Sequence, residues 1–151
     1  MIEWQSEAEK VAAGRAERSV VSSLLRGFLG ACPNCGERGL FRAFLKPVDN
    51  CRHCDEDMSH QRADDAPPYF TMLIVGHVVV PLMLTVAMSV ELSNLTHLMI
   101  WLPLAFIMAL GLLQPIKGAI IGLQWALYMH GFDGSGDPDR FAEGYLPRDP
   151  V

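Results

Sequence analysis

Residues 32–54, CPNCGERGLFRAFLKPVDNCRHC, decide how this 151-residue chain folds, because they contain all four of its cysteines. The cysteines form two pairs, Cys32 with Cys35 and Cys51 with Cys54, in the pattern C-x2-C-x15-C-x2-C. This spacing is typical of structural zinc sites, in which each C-x-x-C turn presents two thiolates to one tetrahedral ion. The pattern predicts a small zinc ribbon over residues 31–58, with two short strands between the pairs and too few apolar residues to fold without Zn²⁺.

Downstream of the cysteines the chain becomes strongly apolar, and no Lys or Arg lies between Arg62 and Lys117. A helix needs about 20 apolar residues to cross a bilayer. The pattern therefore predicts an α-helical transmembrane hairpin with spans at residues 69–90 and 95–114. We expect Gln114 and Pro115 to end the second span, so that residues 116–130 form a separate amphipathic helix, interfacial or re-entrant, that is too short to cross.

The other segments are more polar. Residues 1–30 are read as a polar extension with a short amphipathic helix, whose apolar face packs on the ribbon or lies at the lipid surface. Residues 59–68 are read as a linker, and residues 131–151 are read as a flexible tail.

Within the predicted helix 116–130, Gly118, Gly122 and Ala126 form a row of small residues at four-residue spacing. Such a row lets helix backbones approach closely, and we expect it to face the spanning hairpin.

The distribution of basic residues predicts the orientation. The turn at 91–94 has no Lys or Arg, whereas Arg52, Arg62 and Lys117 flank the spans, so the ribbon and both termini are expected in the cytoplasm. The cysteines could form two disulfides in an oxidising compartment, but the reducing cytoplasm favours thiolates and zinc. The formal net charge of −5 argues against a nucleic-acid partner.

Several motifs resemble those of the bacterial domain of unknown function 983 family. They are CPNCGE at 32–37, GLFR at 39–42, HQRADDAPPYF at 60–70, VGH at 75–77, LQWAL at 123–127 and MHGFD at 129–133. The resemblance implies a two-span zinc-ribbon protein of the bacterial inner membrane, with no assigned activity. It also implies an association with biogenesis of a respiratory complex, because genes of the family often lie near those for cytochrome c oxidase and its assembly factors. Asp55 stands where zinc knuckles often have glycine, which predicts a less regular second turn.

His77 is the main candidate for chemistry beyond the cysteines, because it lies near the middle of the first predicted span, where ionisable side chains are costly and often functional. Pro81 has no amide hydrogen for the His77 carbonyl, so a polar site is expected there. His77 either hydrogen-bonds Gln114 or a backbone carbonyl and locks the helix pair, or contacts a metal, haem, quinone or partner helix.

His60 and Asp64 form a second candidate set at the membrane edge. Together with Asp65 they are read either as a metal or acid–base group, or as helix-capping and linker hydrogen bonds. Because four thiolates leave zinc no open position for water, the sequence favours a non-enzymatic adaptor or assembly factor for a membrane complex. The alternative is a membrane-embedded cofactor or metal handler, or an enzyme, that uses His77 with His60 and Asp64.

Overall fold

The structure is a computed structural model that describes residues 17–132. Its elements, in chain order, are α1 (Val20–Phe28), β1 (Phe41–Ala43), β2 (Lys46–Pro47), α2 (Ala66–Ser89) and α3 (Asn94–Ala126). The predicted fold class is confirmed: a two-stranded ribbon with four close cysteines precedes two long apolar helices. The predictions for residues 1–16 and for the tail from 133 onwards lie outside the described residues.

The ribbon is an antiparallel pair of short strands, in which Phe41 faces Pro47 and Ala43 faces Lys46. Its interior is small, because only a few side chains point inward. Leu40 and Met58 are each 1% exposed and pack with the buried Cys32 and Cys51. These residues belong to one buried cluster that also contains Ile121, Trp125 and Ala126 of α3, so the ribbon shares its core with the end of that helix.

The first long helix, α2, begins at Ala66, three residues before the predicted start of the span at 69. Asp65 is its N-cap residue and Pro67 lies in the first turn, where a missing amide hydrogen costs nothing. The Asp65 side chain makes no capping hydrogen bond, however, so Asp65 marks the helix boundary without satisfying its free amides. The helix then continues through Pro81 to Ser89.

The second long helix, α3, corrects a prediction. It runs without a break from Asn94 to Ala126, so Gln114 and Pro115 do not separate a span from a second, shorter helix. Pro115 removes only one backbone hydrogen bond, the one to the Gly111 carbonyl, and the buried residues from Ile116 onwards hold the helix in place after the proline. The helix also ends at Ala126, four residues earlier than the predicted end at 130.

The predicted row of small residues brings two helix backbones into close contact, but the partner differs from the expected one. A Cβ on Gly118 would lie 2.0 Å from the carbonyl oxygen of Gly27, and one on Gly122 would lie 2.2 Å from that of Ser23. Both partner residues belong to α1, so the row receives the short N-terminal helix rather than the other spanning helix.

Helix α1 therefore packs through its small residues and leaves its apolar face outside. Ser23 and Gly27 are its buried residues, whereas Val21, Leu25 and Leu29 are 69%, 54% and 69% exposed. The sequence allowed two positions for this face, against the ribbon or at the lipid surface. The exposure of these three side chains does not fit packing against the ribbon. The expectation that this face lies at the lipid surface stays a prediction.

Candidate metal centre and its attachment to the long helices

The four cysteine sulfur atoms converge on one point. All four Sγ atoms lie within 4.8 Å of one another, with Cys32 Sγ 3.8 Å from Cys54 Sγ and Cys35 Sγ 3.7 Å from Cys51 Sγ. A tetrahedral zinc site with bonds of about 2.3 Å has sulfur atoms about 3.8 Å apart. All four cysteines are free thiols, and their sulfur atoms are far beyond the disulfide bond length of about 2.05 Å. The arrangement fits one tetrahedral metal ion and excludes the disulfide alternative in this structure.

The two knuckle turns that present the sulfur atoms have the same hydrogen bonds. In the first, the Gly36 amide donates to the Cys32 carbonyl at 2.9 Å; in the second, the Asp55 amide donates to the Cys51 carbonyl, also at 2.9 Å. Asp55 reaches this geometry with a φ of 54°, in the left-handed region that Gly36 occupies with a φ of 80°. The expectation of a less regular second turn is wrong, because aspartate is among the few residues that tolerate this conformation.

The thiols differ in how readily they ionise. Burial raises the pKa of Cys32 and of Cys54. Burial also opposes ionisation of Cys51, but amide hydrogen bonds from His53 and Cys54, with contributions from neighbouring thiols, outweigh it and lower the Cys51 pKa to about 7. A metal must displace the remaining protons, so metal binding releases protons and weakens as the pH falls.

Glu56, next to the second knuckle, attaches the ribbon to the end of α3. Its carboxylate accepts hydrogen bonds from Trp125 Nε1 at 2.8 Å and from Asn34 Nδ2 at 2.9 Å. Arg18 completes the contact: its guanidinium lies 4.0 Å from the ring centroids of Trp125 and Tyr128 and donates to the Trp125 carbonyl at 2.7 Å. This group was not predicted from the sequence, in which only the LQWAL motif pointed to Trp125.

Gln124 attaches the linker in the same region. Its Oε1 accepts from the Arg62 amide at 3.0 Å, and its Nε2 donates to the Arg62 carbonyl at 2.8 Å. Gln124 is 7% exposed and Ala63, beside the bond, is fully buried. An amide side chain thus satisfies both backbone groups of one linker residue, as another strand would.

His60 and Asp64 have separate partners. His60 Nε2 lies 3.4 Å from a carboxylate oxygen of Asp57, and its ring packs edge-on against Phe132 with centroids 5.8 Å apart. Asp64 instead lies 3.4 Å from Lys117 Nζ on α3. Across residues 17–132, the four cysteines form the only group of three or more potential ligands that could reach one ion.

His77 lies on α2 with its ring turned outward. Its Nδ1 is 2.8 Å from the Leu73 carbonyl oxygen one turn earlier, and its side chain is exposed. Because a carbonyl can only accept, Nδ1 is the donor of this bond, and in the neutral ring Nε2 is then the acceptor nitrogen. Of the contacts expected for His77, the structure has the one to a backbone carbonyl and not the one to Gln114.

The two helices that follow the ribbon are long and apolar enough to cross a membrane, by their length and composition. They are Ala66–Ser89, with 24 residues, and Asn94–Ala126, with 33 residues. The carbonyls and amides of both are internally bonded over most of their length, which a bilayer requires.

No curated protein and no solved structure matches the chain. The family model of DUF983, described as a protein of unknown function, matches residues 41–125, which is more than half of the chain. The matched region includes the second cysteine pair, both long helices as far as Trp125, and the contacts of Gln124 with the linker. The chain therefore belongs to the DUF983 family.

Proposed function

We propose that this protein is a non-enzymatic membrane adaptor, in which a metal-bound ribbon docks a partner during assembly or regulation of a membrane complex. The observation that carries this proposal is the attachment of the four-cysteine ribbon to the end of a helix long enough to cross a bilayer. Contacts from Glu56 and from the linker hold the ribbon against that helix. A head fixed in this way presents one surface at a constant height above the membrane.

The ion in the ribbon is zinc in this proposal, with a structural role. Four thiolates at the observed separations suit Zn²⁺, and a site closed by four protein ligands leaves no position for a substrate or a water. Bound zinc would supply folding free energy on the order of 10 kcal/mol or more, which the small core does not provide. The ribbon surface, shaped by the metal, would then be the part that a partner recognises.

The proposed location is the bacterial inner membrane, with the ribbon and both termini on the cytoplasmic side. This is supported by the two long apolar helices, by the absence of Lys and Arg from the 90–93 turn between them, and by the reducing conditions that keep thiols free. The family resemblance supports a partner in respiratory-complex biogenesis, with cytochrome c oxidase or its assembly factors as candidates. The net charge of −5 argues against nucleic acid.

The alternative, a cofactor handler or enzyme that uses His77 with His60 and Asp64, has less support. His60 lies against Asp57 and Phe132, and Asp64 lies against Lys117, so the two side chains have separate partners and do not share one ligand site. His77 has one ring nitrogen, Nε2, without a contact in the described residues. Contact with a partner helix accounts for this nitrogen as well as contact with a cofactor does.

Crosslinking in native membranes, followed by purification and metal analysis of the same sample, tests the proposal. We expect the wild-type chain to carry one zinc and to crosslink reproducibly to a defined membrane complex through its ribbon. Cys35→Ser should lose the metal and the crosslinks together. Asp49→Asn changes an exposed ribbon residue outside the metal site and serves as the matched control, which should keep both. Crosslinks that persist after metal loss would contradict a metal-shaped docking head.

A further inference from the structure

We propose that the outward face of α2 around His77 receives a transmembrane helix of another protein, and that this helix donates a hydrogen bond to His77 Nε2. The inference rests on the proposed membrane adaptor and deepens it, since it names a second contact with the partner and the chemistry of that contact.

The face is a shallow groove of about 570 Å³ that extends along α2 from Tyr69 to Pro81. It lies away from the rest of the molecule: Thr71, Val75 and Val79, at four-residue intervals, form the buried stripe of α2, and the helical repeat puts His77 on roughly the opposite side. The groove is thus open to whatever surrounds the helix.

Two polar groups near the centre of this groove, both from His77, are hydrogen-bond acceptors. In the neutral ring, the bond from Nδ1 to the Leu73 carbonyl leaves His77 Nε2 with a lone pair and no proton. Pro81 has no amide hydrogen to donate to the His77 carbonyl, so that carbonyl lacks its usual helical partner. Unsatisfied polar groups are costly in hydrocarbon, and two of them on one exposed face favour an occupant that brings donors.

A second copy of this chain does not meet that requirement. It would bring another His77 with the same pair of acceptors. The Tyr69 hydroxyl is a donor on this face, but it lies eight residues earlier, about 12 Å along the helix axis. In a symmetric pair of parallel helices, Tyr69 of one copy cannot reach His77 of the other.

The shape of the groove selects a helix over a small molecule. Small-molecule sites usually enclose most of the ligand surface, whereas this groove is open along about three helical turns. At its centre Gly76 has no atom within 4 Å of the position a Cβ would take, so another backbone can approach closely. A small residue beside a polar side chain is the combination that membrane helix pairs use, and the donor would be a hydroxyl, amide or indole group.

The test uses the full, metal-loaded chain in phosphatidylcholine vesicles and synthetic helices of about 20 residues. One probe is a polyleucine helix with a central serine, and its control has leucine at that position. Energy transfer between the labelled chain and each peptide measures association. We expect the serine helix to bind about threefold to tenfold more tightly than the leucine helix, the range for one interhelical hydrogen bond.

Two variants make the test specific. His77→Leu should remove the preference for serine while metal content stays unchanged, and Gly76→Ile should weaken association with both peptides by filling the groove. Equal preference in the wild type and in His77→Leu would overturn the proposal. So would self-association of labelled copies that His77→Leu abolishes, or a ¹⁵N shift of His77 Nε2 caused by a hydroquinone in vesicles without peptide.

Crosslinking in native membranes separates this inference from the proposed function. If His77→Leu leaves the partner's crosslinks unchanged while Cys35→Ser removes them, the inference fails and the adaptor stands. If both variants reduce the crosslinks, both are supported. Crosslinks unaffected by Cys35→Ser count against the adaptor itself.

Discussion

The two parts of α3 differ sharply, although they belong to one continuous helix. Every buried residue of α3 lies at or after Ile116, and none lies in the preceding stretch that begins at Asn94. A helix of 33 residues is about 50 Å long, whereas the hydrocarbon core of a bilayer is about 30 Å thick. The same helix thus has one part suited to lipid and another part suited to holding a folded head.

The difference lies in the kind of residue used. The exposed part is mainly large and apolar, with Leu98, Leu102 and Phe106 among its outward side chains. The buried part uses glycines for close contact with α1, and Gln124 and Trp125 for hydrogen bonds to the linker and the ribbon. Polar and small residues near the end of an apolar helix therefore fix the head to it.

Loss of one cysteine ligand should destabilise the ribbon more than the other substitutions do. It removes the metal ion that folds the ribbon and leaves the exposed part of α3 unchanged. Cys51→Ser should lose bound metal and unfold the ribbon, with a loss on the order of 10 kcal/mol of metal-linked folding free energy. Metal analysis and circular dichroism of the purified chain measure both effects. A ribbon that stays folded without metal would show that packing, and not the ion, holds it.

Replacing one glycine by alanine in each part of α3 compares the two parts directly. Gly118→Ala should force α1 away, since the new Cβ would meet the backbone of Gly27, with a cost of about 3 kcal/mol. Gly111→Ala is the matched control, because nothing lies within 4 Å of its Cβ position and helix propensity alone predicts a small gain.

Protease sensitivity of α1 and thermal unfolding of the head are the measurements for this pair. Increased cleavage in Gly118→Ala alone is expected. Equal behaviour of the two variants would mean that the close contact between α1 and α3 does not exist in solution.

Gln124→Leu should have a smaller effect, confined to the linker. It removes two hydrogen bonds and leaves the amide and carbonyl of Arg62 without that partner, at a cost of about 1–2 kcal/mol. Amide hydrogen exchange at Arg62 and Ala63 should accelerate. Gln114→Leu changes the same residue type at a half-buried position that precedes the buried part of α3, and it should leave exchange in the linker as it is.

The smallest effect is expected for the ion pair between Asp64 and Lys117. The Asp64 side chain is 80% exposed, so solvent screens the interaction and Asp64→Asn should cost about 0.5 kcal/mol or less. Thermal unfolding at low and high salt checks this. A large, salt-dependent loss of thermal stability in Asp64→Asn would mean that Asp64 has a role that the structure does not explain.

The sequence predicted those features that depend on local pattern. The spacing of the cysteines predicted the ribbon and the convergence of its four sulfur atoms, the apolar runs predicted two long helices, and the glycine row predicted where helices approach closely. Each of these signals lies within one segment of the chain, so periodicity and spacing are enough to read it.

Features that depend on contacts between distant segments were not predictable in the same way. The continuation of α3 through Pro115 depends on what packs beyond the proline, and the outward apolar face of α1 depends on Gly27 meeting Gly118. The contact of Glu56 with Trp125 joins residues 69 positions apart, and nothing in either segment alone marks the pair. Local propensity does not contain this information.

X-ray absorption at the zinc edge, on the full chain purified from membranes, tests the central claim most directly. A head organised by one ion predicts one zinc per chain with four sulfur neighbours at about 2.3 Å. Absence of metal, cysteines joined as disulfides, or nitrogen and oxygen ligands in place of sulfur would contradict it.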